Sequence, residues 1–144
     1  QIMETKEPTP QKTFDFACHC GAVKFQCELD HDLRQSGRCN CSSCSITRLW
    51  CHPVTNISSF KMLTPEENQS VYRYGTNYTG HYFCKTCGTQ TYIKGDHPGF
   101  GTYSYVSINC LQGFTQEQFS AIPVHYANGA EDNHKDTPKF TSHL

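Results

Sequence analysis

No stretch of this sequence is apolar enough to cross a bilayer. Nothing approaches the ~18–20 consecutive apolar residues of a membrane helix, and Gln1 to Lys12 lacks the apolar run of a secretory signal. An excess of one charge is absent as well. Twelve Lys and Arg stand against thirteen Asp and Glu, a formal net charge of −1. The cations are scattered singly and make no basic stripe of the kind that grips a phosphate backbone. Membrane and nucleic acid are therefore excluded as expected partners, and a soluble, cytoplasmic protein is expected. No Gly-x-Ser-x-Gly nucleophile motif is present. Gly99-Phe-Gly101 opens no amphipathic helix, so it reads as an ordinary loop and not as half of a phosphate cradle.

Cysteine, by contrast, is abundant: there are ten in 144 residues. A chain this long hides about 68–70% of its unfolded surface, so size alone forces neither metal nor cross-links. An even cysteine count is compatible with disulfides in an oxidising compartment, and Asn40, Asn56, Asn68 and Asn77 lie in sequons. The spacing argues otherwise. Cys18-His-Cys20, Cys39-Asn-Cys41-Ser-Ser-Cys44 and Cys84-Lys-Thr-Cys87 are tight clusters, whereas disulfide frameworks spread their half-cystines to close long loops. A glycan on Asn40 would obstruct the middle cluster. Zinc is the expected occupant.

Short apolar pieces separated by turn residues predict a mainly β domain of short antiparallel strands. Phe14 and Phe16 alternate with polar neighbours, and so do Val23, Phe25 and Cys27, which predicts a hairpin with thiols at its bend. Side chains two apart on an extended segment share a face, so Cys18 and Cys20 can reach one ion with His19 turned away. Further strands are expected in Ile46–Trp50, Ile57–Leu63, Val71–Tyr74, His81–Phe83, Gln90–Lys94 and Tyr105–Cys110. Residues 30–45 and Gly95–Ser104 read as loops, and Gln116–Ser120 as one helical turn. Residues 1–12 are expected to be a flexible arm, 13–126 the zinc-binding domain, and 127–144 a polar, mobile tail containing a solvated His134 and His143.

Two pairs of thiolates make one closed tetrahedral site, from Cys18, Cys20, Cys84 and Cys87. Cys39, Cys41 and Cys44 remain as a set of three. Three protein ligands and a free position are the pattern of a catalytic zinc, which polarises a carbonyl or lowers the pKa of a bound group. A fourth ligand from His19, His31, His52, His81 or Cys51 would close that site. His52, just after the trio, is the candidate acid/base. Cys27, Cys51 and Cys110 are expected to pack as small hydrophobes, and His125 to be structural.

These motifs, with Cys18-His-Cys20-Gly-Ala-Val-Lys-Phe25 and Phe83-Cys84-Lys-Thr-Cys87-Gly-Thr89 around the thiols, resemble the glutathione-dependent formaldehyde-activating enzyme family, which includes the centromere protein V relatives. The similarity spans Thr13 to Tyr126. It implies a mainly β fold of the Mss4-like (β-tent) type, a structural zinc on Cys18, Cys20, Cys84 and Cys87, and a second zinc on Cys39, Cys41 and Cys44. It further implies a carbon–sulfur lyase run in the synthetic direction, which joins glutathione or another small-molecule thiol to a carbonyl compound. The competing expectation is a non-catalytic zinc-stabilised β module that binds a protein partner.

Overall fold

The computed structural model describes residues 9–133 and 135–144. Residues 1–8 of the expected arm and His134 lie outside them. The chain is mainly β, arranged as a small and a large sheet packed face to face. In the small sheet β1 (Gln11–Ala17) and β2 (Lys24–Asp30) pair antiparallel, and β5 (Lys61–Met62) adds to the free edge of β2. The large sheet holds β3 (Gly37–Cys39), β4 (Trp50–Pro53), β6 (Gln69–Tyr72), β7 (Thr79–Cys84), β8 (Gln90–His97), β9 (Gly101–Ser107) and β10 (His125–Ala127), in the order β10-β3-β4-β9-β8-β7-β6. Its pairs are antiparallel apart from β10 on β3, which is parallel.

Alternation of side chains decides what each face of the large sheet does. Trp50, Tyr92 and Val106 turn inward and meet Phe14, Phe16, Phe25, Cys27 and Leu29 of the small sheet in one core. Phe25 stacks on Phe16 at 4.9 Å between centroids and on Phe60 at 5.0 Å, and meets Tyr92 edge-on at 5.3 Å. The residues in between form the outer face. Register aligns Pro53 with Tyr105, Tyr105 with Ile93, and Ile93 with His81 across four strands.

Four expectations are corrected. The first strand begins at Gln11 and not Thr13, because the Gln11 side chain donates to Asp30 at 3.0 Å and the His31 amide donates to the Pro10 carbonyl at 2.9 Å. Residues 30–45 are not all loop: β3 and the helix α1 (Ser42–Thr47) lie within or overlap them. The stretch Gly95–Ser104 is mostly hairpin, β8 running to His97 and β9 starting at Gly101. Tyr103 holds the hairpin together: its ring crosses Gly95 and its hydroxyl bonds the hydroxyl of Thr79 on the next strand. Finally, the start of the expected tail is ordered. Ala127 closes β10, Asn128 bridges to Asn133, and Pro138 is buried. Backbone pairing supplies most of this structure, with side-chain amide bonds from Asn40 beside it, so a hydrophobicity pattern misses it. The helix α2 (Gln116–Ser120) is as expected, with Thr115 and Gln118 forming a capping box.

A Cβ on residue 95 would fall 2.1 Å from the Tyr103 ring. Gly95→Ala is therefore expected to push that ring off the strand and break the Thr79 bond, lowering stability by about 1–3 kcal/mol, the usual overpacking range. Thermal melts of the two proteins check this.

Candidate metal centres and active-site cleft

The first centre sits where the bend between β1 and β2 meets the bend between β7 and β8. Gly21 and Gly88 hold these bends at φ +82° and +77°, a region open to glycine at little cost. The sulfurs of Cys18, Cys20, Cys84 and Cys87 all lie within 4.8 Å of one another. Cys20 is 3.7 Å from Cys18 and 3.6 Å from Cys84. Four sulfurs arranged tetrahedrally at 2.3 Å from zinc would be about 3.8 Å apart, so the donor set fits that ion. Backbone amides are already turned toward sulfur: Val23 donates to Cys18 at 3.3 Å and Thr86 to Cys84 at 3.3 Å. Cys87 lies 3.2 Å from the Thr89 hydroxyl, the main cause that brings its thiol down to about 5. Such hydrogen bonds favour thiolate, the form that binds metal.

The second cluster is built on the outer face. Cys39 ends β3, Cys41 caps α1, and Cys44 lies in its first turn. Their sulfurs also lie within 4.8 Å of one another, and among the described residues no fourth His, Cys, Asp or Glu donor joins them. The Cys41 amide donates to the Cys39 sulfur at 3.4 Å. Hydrogen bonds from the Cys39 and Cys44 thiols hold Cys41 far below the usual thiol range, while Cys44 is pushed upward by its hydrogen bonds to Cys39 and then Cys41, and by burial. One sulfur thus carries charge easily, as a metal ligand must.

Around the trio opens a cleft of about 800 Å³, lined on the sheet side by Cys51, Pro53, His81, Ile93, Tyr103 and Tyr105. Tyr74 closes one side, its hydroxyl donating to Ser43 of α1 at 3.1 Å. Ala127, Gly129, Ala130 and Asp132 close another. The loop is fastened to that segment through Asn40, which donates to the Asn128 side chain at 2.9 Å and accepts from the Ala130 amide at 2.9 Å.

Residues 13–126 match the family described as glutathione-dependent formaldehyde-activating enzyme. The chain belongs to this family. A crystal structure of a Rhodobacter sphaeroides protein is also similar, with a TM-score of 0.65 and 27% identity over 77% of this chain and 99% of that one. The formaldehyde-activating-family core therefore includes both cysteine clusters and every strand of the two sheets except the start of β1 and the last residue of β10.

Within this family member the expected zinc ligands fall into two groups of four and three, as the spacing divides them. All ten cysteines are free thiols. Cys27, Cys51 and Cys110 stay outside both clusters, and burial pushes their thiols up to about 12, 12 and 11. Cys27 and Cys110 pack in the core, whereas Cys51 lines the cleft. His52 does not take the expected place. Strand alternation turns Cys51 and Pro53 to the cleft and sends His52 into the interior, fully buried, with Nδ1 2.8 Å from the Pro53 carbonyl oxygen and Nε2 3.5 Å from Asp30. Of the two histidines lining the cleft among the described residues, His125 has its Nε2 3.1 Å from the Arg34 carbonyl oxygen, and the other is His81. It stacks on Tyr74 at 5.4 Å, and burial lowers its pKa while Cys41 pulls the other way.

Burial likewise keeps His52 neutral below its ordinary value of 6.5, although Asp30 opposes this. The unfolded chain takes up a proton that the folded chain refuses. The contribution of His52 to stability is thus complete above 6.5 and is lost as pH falls below it. Melting temperature should decline between about pH 7 and pH 5, and less steeply in His52→Gln; pH-resolved melts compare the two slopes.

Sequence reasoning missed Tyr74, Tyr103 and Tyr105. Tyr103 was hidden in the segment read as a loop, and the alternation Tyr103, Tyr105 was the available signal. Tyr105 is 4% exposed, and its hydroxyl finds no partner among the described residues.

Proposed function

We propose that the protein is a zinc-dependent carbon–sulfur lyase-type enzyme, similar to S-(hydroxymethyl)glutathione synthase, that joins a thiol to a carbonyl compound in the cleft. The observation that carries this reading is the three-sulfur set of Cys39, Cys41 and Cys44 opening onto that cleft, with no fourth His, Cys, Asp or Glu donor beside it among the described residues. A zinc ion held there supplies Lewis acidity toward a carbonyl and favours thiolate over thiol. Membership of the glutathione-dependent formaldehyde-activating family supports glutathione or a glutathione conjugate as the thiol. His81 lines the same space in its neutral form and is the group placed to accept the thiol proton. Both reactants meet within one enclosure, and such positioning is worth up to about 7–11 kcal/mol of a bimolecular barrier.

The test is exchange between glutathione, formaldehyde and their adduct, followed by NMR with zinc-loaded protein. Exchange well above the protein-free rate is expected; a rate equal to it, with both zincs bound, would refute the reading.

A further inference from the structure

The lining of the cleft changes character across the sheet. The trio and Arg38 stand at the β3 end; Tyr74 reaches across to Ser43 of α1 beside the trio, and Phe100 and Tyr103, 5.7 Å apart, line the wall at the β8–β9 hairpin. Phe100 is 60% exposed and Tyr74 41%, so much of their ring surface meets solvent at the mouth of a working site. Large exposed rings clustered beside a cleft mark a surface that a ligand covers. Packing among neighbours does not use these rings up. Phe100 stacks on His97 at 4.0 Å yet keeps that exposure, and Tyr103 is spread across Gly95 and pinned to Thr79. Charge gives little on this side: Arg38, the lining cation, is at the other end, over Trp50 at 5.1 Å and donating to the Arg48 carbonyl at 3.1 Å.

A second observation is independent of the rings. The Tyr105 side chain projects to the cleft face, is almost wholly buried, and holds a hydroxyl without a partner among the described residues. A buried hydroxyl left unpaired is costly and rare, and a ligand oxygen is an acceptor that would complete it.

We propose that the carbonyl substrate is an aromatic aldehyde or ketone, its ring lying along Tyr74, Phe100 and Tyr103 and its oxygen accepting a hydrogen bond from Tyr105. The inference rests on the thiol–carbonyl reading above and names its substrate class. In the step, sulfur of the thiol adds to the carbonyl carbon and a carbon–sulfur bond forms. The carbon–oxygen π pair moves onto oxygen, which takes up the proton that the thiol has given up. The product is a hemithioacetal, and no oxidant or reductant is consumed. Tyr105 steadies the oxygen as negative charge develops there, the place where a fixed donor acts most strongly.

The experiment compares formaldehyde, benzaldehyde and 2-naphthaldehyde as partners of glutathione with zinc-loaded protein, with ring binding read in parallel by saturation-transfer NMR on 2-naphthaldehyde alone. Expected are a kcat/KM at least tenfold higher for the aromatic aldehydes than for formaldehyde, and a fall in that ratio in Phe100→Ala. Tyr105→Phe should lower kcat about 10²-fold, as loss of an oxyanion donor does, with a melting temperature equal to or above that of the parent. Exchange with formaldehyde but not with the aromatic aldehydes overturns the inference and leaves the reading intact. Ring binding without any exchange upholds the aromatic site and removes the reading; neither signal removes both. A Tyr105→Phe variant that melts several degrees lower assigns the hydroxyl a structural role and overturns its part in the proposal whatever the activity.

Discussion

Cys84→Ser is expected to leave the chain unfolded at room temperature. Cys84 is fully buried and is one of four cysteines through which a bound zinc ion would tie the small sheet to the large one. A structural zinc contributes on the order of 10–16 kcal/mol in small metal-binding domains, comparable to or above the roughly 5–15 kcal/mol net stability of a whole domain. Serine is a poor replacement, since its hydroxyl does not ionise near neutral pH and leaves one corner of the tetrahedron unfilled. Far-UV circular dichroism and a thermal melt read the outcome; a cooperative transition within a few degrees of the parent would show that the four-sulfur centre does not support the fold.

Cys41→Ser is expected to behave in the opposite way: folded, melting close to the parent, and without turnover. Cys41 is half-buried at the start of a six-residue helix that contributes no buried residue to the core. Its loss removes the sulfur that most readily carries charge in the trio. Metal analysis should find one zinc per chain in place of two, and the rate of adduct exchange should drop to that of the protein-free mixture. Equal destabilisation by Cys41→Ser and Cys84→Ser would favour the alternative of a zinc-stabilised module without catalysis.

The division of the cysteines into four and three was legible in the sequence because it depends on local spacing, which extended segments and tight turns translate directly into direction. The hairpin around Cys18–Gly21 and the helical turn at Gln116–Ser120 were legible for the same reason. What was not legible depends on pairing across the sheet. His52 follows the trio closely in sequence, yet alternation along β4 turns it inward and leaves Cys51 at the cleft. Tyr103 and Tyr105 reach the cleft only because β9 lies between β4 and β8, an order that no local pattern announces. The helix at Ser42–Thr47 escaped because its residues favour caps and turns over helix interiors, and metal-ligand spacing was the stronger signal there.

The parallel pairing of β10 with β3 bears on how the molecule matures. Cys39 ends a strand of three residues, and Asn40 beside it is fixed by partners 88 and 90 positions downstream. On a ribosome the four-sulfur knot can close as soon as Cys87 has emerged, whereas the three-sulfur loop must wait for residues 125–130 before its geometry is set. A nascent chain would accordingly complete its four-sulfur cluster first and its three-sulfur cluster last.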